Sequence, residues 1–266
     1  MNFIQRLAWA TAGTIALASL YLTSEPTTPG ATSSELSETI LHLQSAVSIA
    51  PSQAKTLRYV PPSRRGTPAR TQGGGSRGCE QESTPITLLA PPDHVGLTTQ
   101  ARPQLAWYSA QDSMLPMQIT LVEPGVSEPI WETQVATGKA GFNSIQLPDS
   151  MPELTPGRRY RWSVTRICNV RRPSSNTYAR GWIERVKTAP AIPANSPFSE
   201  QIQVMAAAGL WYDAVTQSLT QWKKSDPSDN TLLFSLLEQG GLSSIVTQEQ
   251  KRSSRKLPAA THAQGN

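Results

Sequence analysis

The residues best equipped for chemistry in this chain are arginines, and they come in two clusters. The first lies in PPSRRGTPARTQGGGSRGCE (61–80), with Arg64, Arg65, Arg70 and Arg77 and a single acid, Glu80. The second, Arg171 and Arg172, lies in NVRRPSSNTYAR (169–180), which ends on Arg180. A guanidinium presents a planar fork of donors that pairs bidentately with phosphate, sulfate or carboxylate. GGGSRG (73–78) suggests another chemistry, because consecutive backbone N–H groups can cradle a phosphate. It lacks the spaced glycines and the Lys-Ser/Thr pair of a P-loop, and no strand is expected before it. By composition alone the 61–80 stretch is a linker. If Cys79 is bridged, it is an arm anchored at one end and mobile at the other.

Other chemistry is thinly supplied. No serine sits in a nucleophile elbow, and Glu123, Glu128 and Glu132 fall on or beside expected strands as solvated edges. His42, His94 and His262 are scattered, and no Cys or His stands at ligand spacing, so no metal or cofactor is expected. His94, in PPDHVG, reads as an exposed loop residue, and Asp213, in WYDAV, as a local cap or pair. Trp131, Trp182, Trp211, Tyr212 and Trp222 could stack on sugars, but core or interface packing is the better reading of them. Without a nucleophile or acid/base pair in reach of each other, the chain reads as no enzyme.

The segments that must position these residues are uneven in charge. The chain has 266 residues and a net charge of +5. Residues 58–80 hold five arginines and one acid, 81–157 eight acids and two bases, and 158–189 nine bases and one acid. Residues 1–22 read as a signal peptide, with a short n-region ending at Arg6, an apolar run and Ala16-Leu17-Ala18 as a cleavage site. The run is shorter than the ~20 residues that span a bilayer. An uncleaved N-terminal anchor, giving the only membrane contact, is the alternative. Export makes a bridge between the two cysteines, Cys79 and Cys168, the default. Nucleic acid would suit the charge, but export argues against it.

Residues 23–60 read as a tether with one short helix over 34–49. Seven short runs follow within 81–190, at 86–91, 102–109, 117–123, 128–136, 142–148, 160–169 and 178–188, bounded mostly by Gly, Pro, Asp or Asn. They predict a β-sandwich. In 160–165 Tyr160, Trp162 and Val164 alternate with polar residues, so one face packs and the other is wet. Leu154, the Pro156-Gly157 turn and Tyr160 have the spacing of a tyrosine corner, and Trp107 is the expected core tryptophan. Residues 191–247 read as helical. A hairpin over 198–224 breaks at Gly209, and a third helix runs to Glu238 and closes on Gly240-Gly241. The tail 248–266 is polar and basic and reads as disordered.

GLTTQARPQLAW (96–107), LTPGRRYRW (154–162) and GWIERV (181–186) resemble the motifs of fibronectin type III-like sandwiches of bacterial surface proteins. AAAGLWYDAV (206–215) resembles a single tetratricopeptide-like hairpin. One such repeat cannot bury its own face, so it must pack on the sandwich or on a partner. Together with the SRGC arm, these motifs resemble an uncharacterised family known chiefly from cyanobacteria, domain of unknown function 928, over roughly 58–247. The resemblance implies an exported, mostly β protein with a helical C-terminal part, and no activity or catalytic residues. In a fibronectin-like topology the first strand starts and the sixth ends at the same pole. A Cys79–Cys168 bond then sets the arm beside Arg171 and Arg172.

The expected function is a non-enzymatic binding or scaffold protein of the periplasm, cell envelope or extracellular space. Arg64, Arg65, Arg70, Arg77, Arg171 and Arg172 would hold an acidic ligand: lipid phosphate, teichoic-type or acidic polysaccharide, or an acidic protein face. The alternative is an adaptor that docks another envelope protein through Trp211, Tyr212 and Trp222. An enzyme of unrecognised class is the remaining possibility.

Overall fold

Alternation in β8 (Arg159–Arg166) sets the plan of the molecule. Tyr160, Trp162 and Val164 are buried and Arg161 is exposed. In the computed structural model, which describes residues 56–63, 71–74, 79, 84–224 and 231–256, β8 is the centre of a six-stranded sheet. On one side β8 pairs antiparallel with β5 (Met117–Val122), which pairs with β6 (Trp131–Val135). On the other it pairs antiparallel with β9 (Thr177–Arg185). The far edge of β9 is shared. β1 (Thr71–Gly74) pairs antiparallel with its first residues, and β3 (Gly96–Thr98) pairs parallel with its last. A second sheet runs β2 (Ile86–Leu88), β4 (Gln104–Ser109), β7 (Gly141–Gln146), all antiparallel.

The two sheets enclose a core that includes Leu88, Leu105, Trp107, Ile119, Leu121, Trp162 and Val164. At Gly181 a Cβ would come within 2.9 Å of the Ala90 side chain, so glycine lets β9 approach the chain that leaves β2. The seven expected strands are present. β1 and β3 were not expected. TQGG and GLT lack the apolar run that marks β2, and they are strands here because β9 supplies their partners.

β4 differs from β8 in being buried on both faces, and four helices explain why. These are α1 (Phe198–Ala207), α2 (Trp211–Trp222), α3 (Thr231–Gln239) and α4 (Ser243–Lys256). α2 and α4 cover the outer face of the small sheet, and the start of α2 also packs on β3 of the large sheet. Trp222 of α2 lies edge-on to Phe142 of β7, and Phe142 edge-on to Tyr108 of β4, both at 5.3 Å. Glu249 of α4 is fully buried, and Arg252 lies against Gly141. Gly209 closes α1 with φ +75°, and a Cβ there would meet the Val60 carbonyl at 2.9 Å. The helical region therefore packs on the sandwich, as a lone hairpin must if it has no partner.

Two expectations about the flanks need correction. The tether does not extend to residue 60, because Leu57 and Tyr59 are core residues. The Gln239 side chain accepts from Tyr59 N–H and donates to the Leu57 carbonyl, and Val60 N–H donates to the Ala206 carbonyl. The tail is not disordered from 248, since α4 continues to Lys256. Ile245, Val246 and Glu249 are its buried stripe, and a mean composition dominated by Lys, Arg, Ser and Gln hides three such positions. The leader 1–22 and the helix expected at 34–49 lie outside the described residues. Among the described residues no helix is long and apolar enough to cross a membrane.

Candidate functional site: an arginine pole

Cys79 and Cys168 form a disulfide with Cα atoms 5.3 Å apart and 89 residues of separation. In the chain-entropy account, closing a loop of that length stabilises by up to about 4.5 kcal/mol. Cys168 follows β8, so the bond holds the chain before β2 at the mouth of the β8–β9 loop. Two asparagines shape that loop. Asn176 Oδ1 accepts from Cys168 N–H at 2.9 Å, and Asn169 Oδ1 accepts from Arg171 N–H at 2.8 Å, an Asx turn. Pro173–Ser175 then form a single 3-10 turn. Arg171 and Arg172 ride on this ordered loop, both exposed, next to Val170, which is 84% exposed.

β1 adds a second anchor that the sequence did not disclose. Thr71 is the Cα partner of Arg180 and Gly74 that of Thr177. The arm is therefore held at 71–74 as well as at Cys79, which corrects the picture of one fixed end and one mobile end. Arg180 stacks over the Tyr178 ring at 4.2 Å, a cation–π contact that leaves its donors free to point outward. Among the described residues, Arg171, Arg172 and Arg180 have no ion pair. Arg64, Arg65, Arg70 and Arg77 lie outside the described residues.

The proposed docking trio is placed elsewhere. Trp211 and Tyr212 are 0% and 2% exposed. Trp211 Nε1 donates to the Leu89 carbonyl at 2.9 Å. Tyr212 OH accepts from Trp162 Nε1 at 2.8 Å and donates to the Trp182 carbonyl at 2.9 Å. Asp213, next in line, accepts from Thr99 N–H at 2.9 Å and from the Thr98 and Thr99 hydroxyls. Trp222 is half-buried between Phe142 and Phe234. Trp211 and Tyr212 are spent on joining helix to sandwich and present no surface to a second protein, while Trp222 keeps part of its ring exposed. A Trp-Tyr-Asp run at a helix start buries three successive side chains, each against a different neighbour: Trp211 against Tyr59 and Gly240, Tyr212 against Trp162, and Asp213 against Thr98 and Thr99.

His94 also needs correction, because it is 2% exposed rather than an open loop residue. Its Nε2 lies 2.6 Å from Tyr59 OH and its Nδ1 2.7 Å from Asp93 Oδ1. The chain of atoms resembles an acid–base relay. Burial, then the Asp93 charge, pushes the Tyr59 phenol well above its ordinary value, so it stays protonated and donates to Nε2. Nδ1–H then donates to Asp93. With both rings buried and the Asp93 carboxylate at the surface, the three groups tie the segment at Tyr59 to the loop before β3. Burial likewise raises the Tyr212 phenol, and burial and the Glu249 carboxylate push the Tyr108 phenol up to about 12. Neither phenol acts as a base near neutrality.

Among the described residues no three His, Cys, Asp or Glu side chains are grouped to hold a metal. A cavity of about 400 Å³ between α1, α2 and α3 is lined by Phe198, Ile202, Ser218, Trp222 and Leu232, with no charged group among them. The exposed cations of the pole thus stand out as the chemistry the fold presents to solvent. A family model described as Domain of Unknown Function (DUF928) matches residues 72–250, which takes in β1, both sheets and most of α4. No curated protein matches the chain.

Proposed function

The chain belongs to the DUF928 family, and we propose that this member is a non-enzymatic, exported binding or scaffold protein of the cell envelope. Its Arg-rich pole takes an acidic ligand. One observation carries the reading: the disulfide and the β1–β9 pairing hold Cys79 and residues 71–74, the sequence neighbours of Arg77 and Arg70, beside the β8–β9 loop and the start of β9. A disulfide, which oxidising compartments favour, supports export, as does the apolar leader at 1–22. The sheet order β2-β4-β7 against β9-β8-β5-β6 supports a fibronectin type III-like sandwich. The α1–α2 pair, broken at Gly209, supports a single tetratricopeptide-like hairpin.

Binding of the full chain to polygalacturonate, polyglutamate and inorganic polyphosphate at low ionic strength tests the pole. Losing two charge-assisted contacts in Arg171→Ala/Arg172→Ala should weaken binding by about tenfold or more. Binding of the unaltered chain should fall steeply as salt rises. Equal binding by the double variant, or indifference to salt, removes the reading.

A further inference from the structure

The outer face of the large sheet continues from the arginine pole, and no described helix packs on it. Along β9 the residues on that face are Tyr178, Arg180 and Trp182, at alternate positions and so about 7 Å apart. On β8 the register sets Thr165 opposite Tyr178, Ser163 opposite Arg180 and Arg161 opposite Trp182. The result is a flat strip in which rings and guanidiniums alternate. Tyr178 is covered on one side by Arg180 at 4.2 Å, Trp182 is half-buried, and Arg161 is exposed.

The charge on this strip is unbalanced. Its acid on β9, Glu184, is already held by Arg159, with Nε 2.9 Å from Oε2. The acid on β6, Glu132, keeps its charge, since among the described residues only the Thr120 hydroxyl donates to it, but it lies three strands away from β9. Among the described residues, Arg161 and Arg180 have no carboxylate partner. A ligand for this strip must therefore be acidic, and it must also present a face that an indole can cover.

We infer that the strip formed by Tyr178, Arg180, Trp182 and Arg161 binds an acidic polysaccharide, its sugar rings stacking on Trp182 and Tyr178 and its carboxylates pairing with Arg161 and Arg180. The inference rests on the reading of the pole as an acid-binding end and names the class of ligand. The C–H groups on one face of a pyranose are weakly positive and meet the negative face of an aromatic ring. The carboxylate at the sugar's edge then falls beside a guanidinium, and the Ser163 and Thr165 hydroxyls offer hydrogen bonds to sugar hydroxyls. An acidic peptide would use the arginines and leave the indole unused. A flat sheet face suits an extended polymer, and the strip leads toward Arg171 and Arg172, so one chain could occupy both.

The test compares the full chain with Trp182→Ala, Arg161→Ala and Arg171→Ala/Arg172→Ala for binding to polygalacturonate, polyglutamate, neutral dextran and phosphatidylglycerol vesicles. The unaltered chain should prefer polygalacturonate over polyglutamate at matched charge. Trp182→Ala should weaken polygalacturonate binding by about fivefold, as loss of a central aromatic contact does, and leave polyglutamate unchanged. Arg161→Ala should weaken both by about tenfold, and Trp182→Phe should restore most of the loss. Equal affinity for the two polymers, an unaffected Trp182→Ala, or a preference for vesicles would overturn the inference. The pole is judged separately: if both acidic polymers bind alike and only Arg171→Ala/Arg172→Ala weakens them, the strip fails and the pole stands. If none of the acidic probes binds, both fail.

Discussion

The outer face of the small sheet and the outer face of the large one are built from similar strands and end differently. On β2-β4-β7, Tyr108 and Phe142 point outward and are roofed by Trp222 and by α4, with Glu249 fully buried above them. On β9-β8-β5, Tyr178, Trp182 and Arg161 also point outward, and no described helix covers them. Both faces carry aromatic residues, so aromatic content does not decide which is covered. The helix beside the small sheet, α2, is fixed at its start by Trp211 on Leu89, Tyr212 on Trp162 and Trp182, and Asp213 on Thr98 and Thr99, the last four lying on or next to strands of the large sheet. The large-sheet face carries guanidiniums, which cost too much to bury without partners.

The contrast breaks most sharply at Trp211. Trp211→Ala removes a fully buried ring and a hydrogen bond to Leu89, and should cost about 3–5 kcal/mol, read by urea unfolding of the full chain. A loss below about 1 kcal/mol would mean that the helices are not integral to the fold. Glu249 is next. Its carboxylate accepts from Arg252 Nε at 2.6 Å and from Arg252 Nη2, and that pairing raises the Arg252 guanidinium above its ordinary value. Glu249→Gln leaves a partly buried guanidinium with a weaker acceptor, and should cost about 2 kcal/mol in the same measurement. A melting curve superimposable on that of the unaltered chain would contradict the buried pair. The smallest effect belongs to the bare face. Trp182→Ala should shift unfolding by only about 1 kcal/mol, the loss of a half-buried cross-strand contact. A large loss there would show that the strip is covered after all.

Much of the fold was readable because its signals are local. The alternation in YRWSVT follows from a pleat with one wet face, and Tyr160 OH accepts from Thr155 N–H at 2.9 Å as the LTPGRRY spacing implies. The candidate site was half legible. Arg171 and Arg172 were found from charge, and the Cys79–Cys168 bond from compartment and topology. Trp182 was read with Trp211 as core or interface packing, and the structure corrects this by setting it half-buried on the outer face of the large sheet. The signal that separates it from Trp211 was present in YARGW, where alternation with Ala179 and Gly181 sends Trp182 outward. WYD at a helix start has no comparable pattern, and its burial depends on a docked sheet.

By itself, then, the sequence determined what depends on neighbours in the chain: seven of the nine strands, the glycine-broken helices, the tyrosine corner and the segregation of charge. Only the tertiary structure decided what depends on a distant surface. β1 and β3 are strands because β9 offers an edge. Leu57, Tyr59 and His94 are core because helices and loop close over them. Trp211 and Tyr212 are spent on docking while Trp182 and its arginines stay open. The physical reason is common to all of these: burial and backbone pairing are properties of two surfaces together, and a residue's own neighbours in sequence describe only one of them.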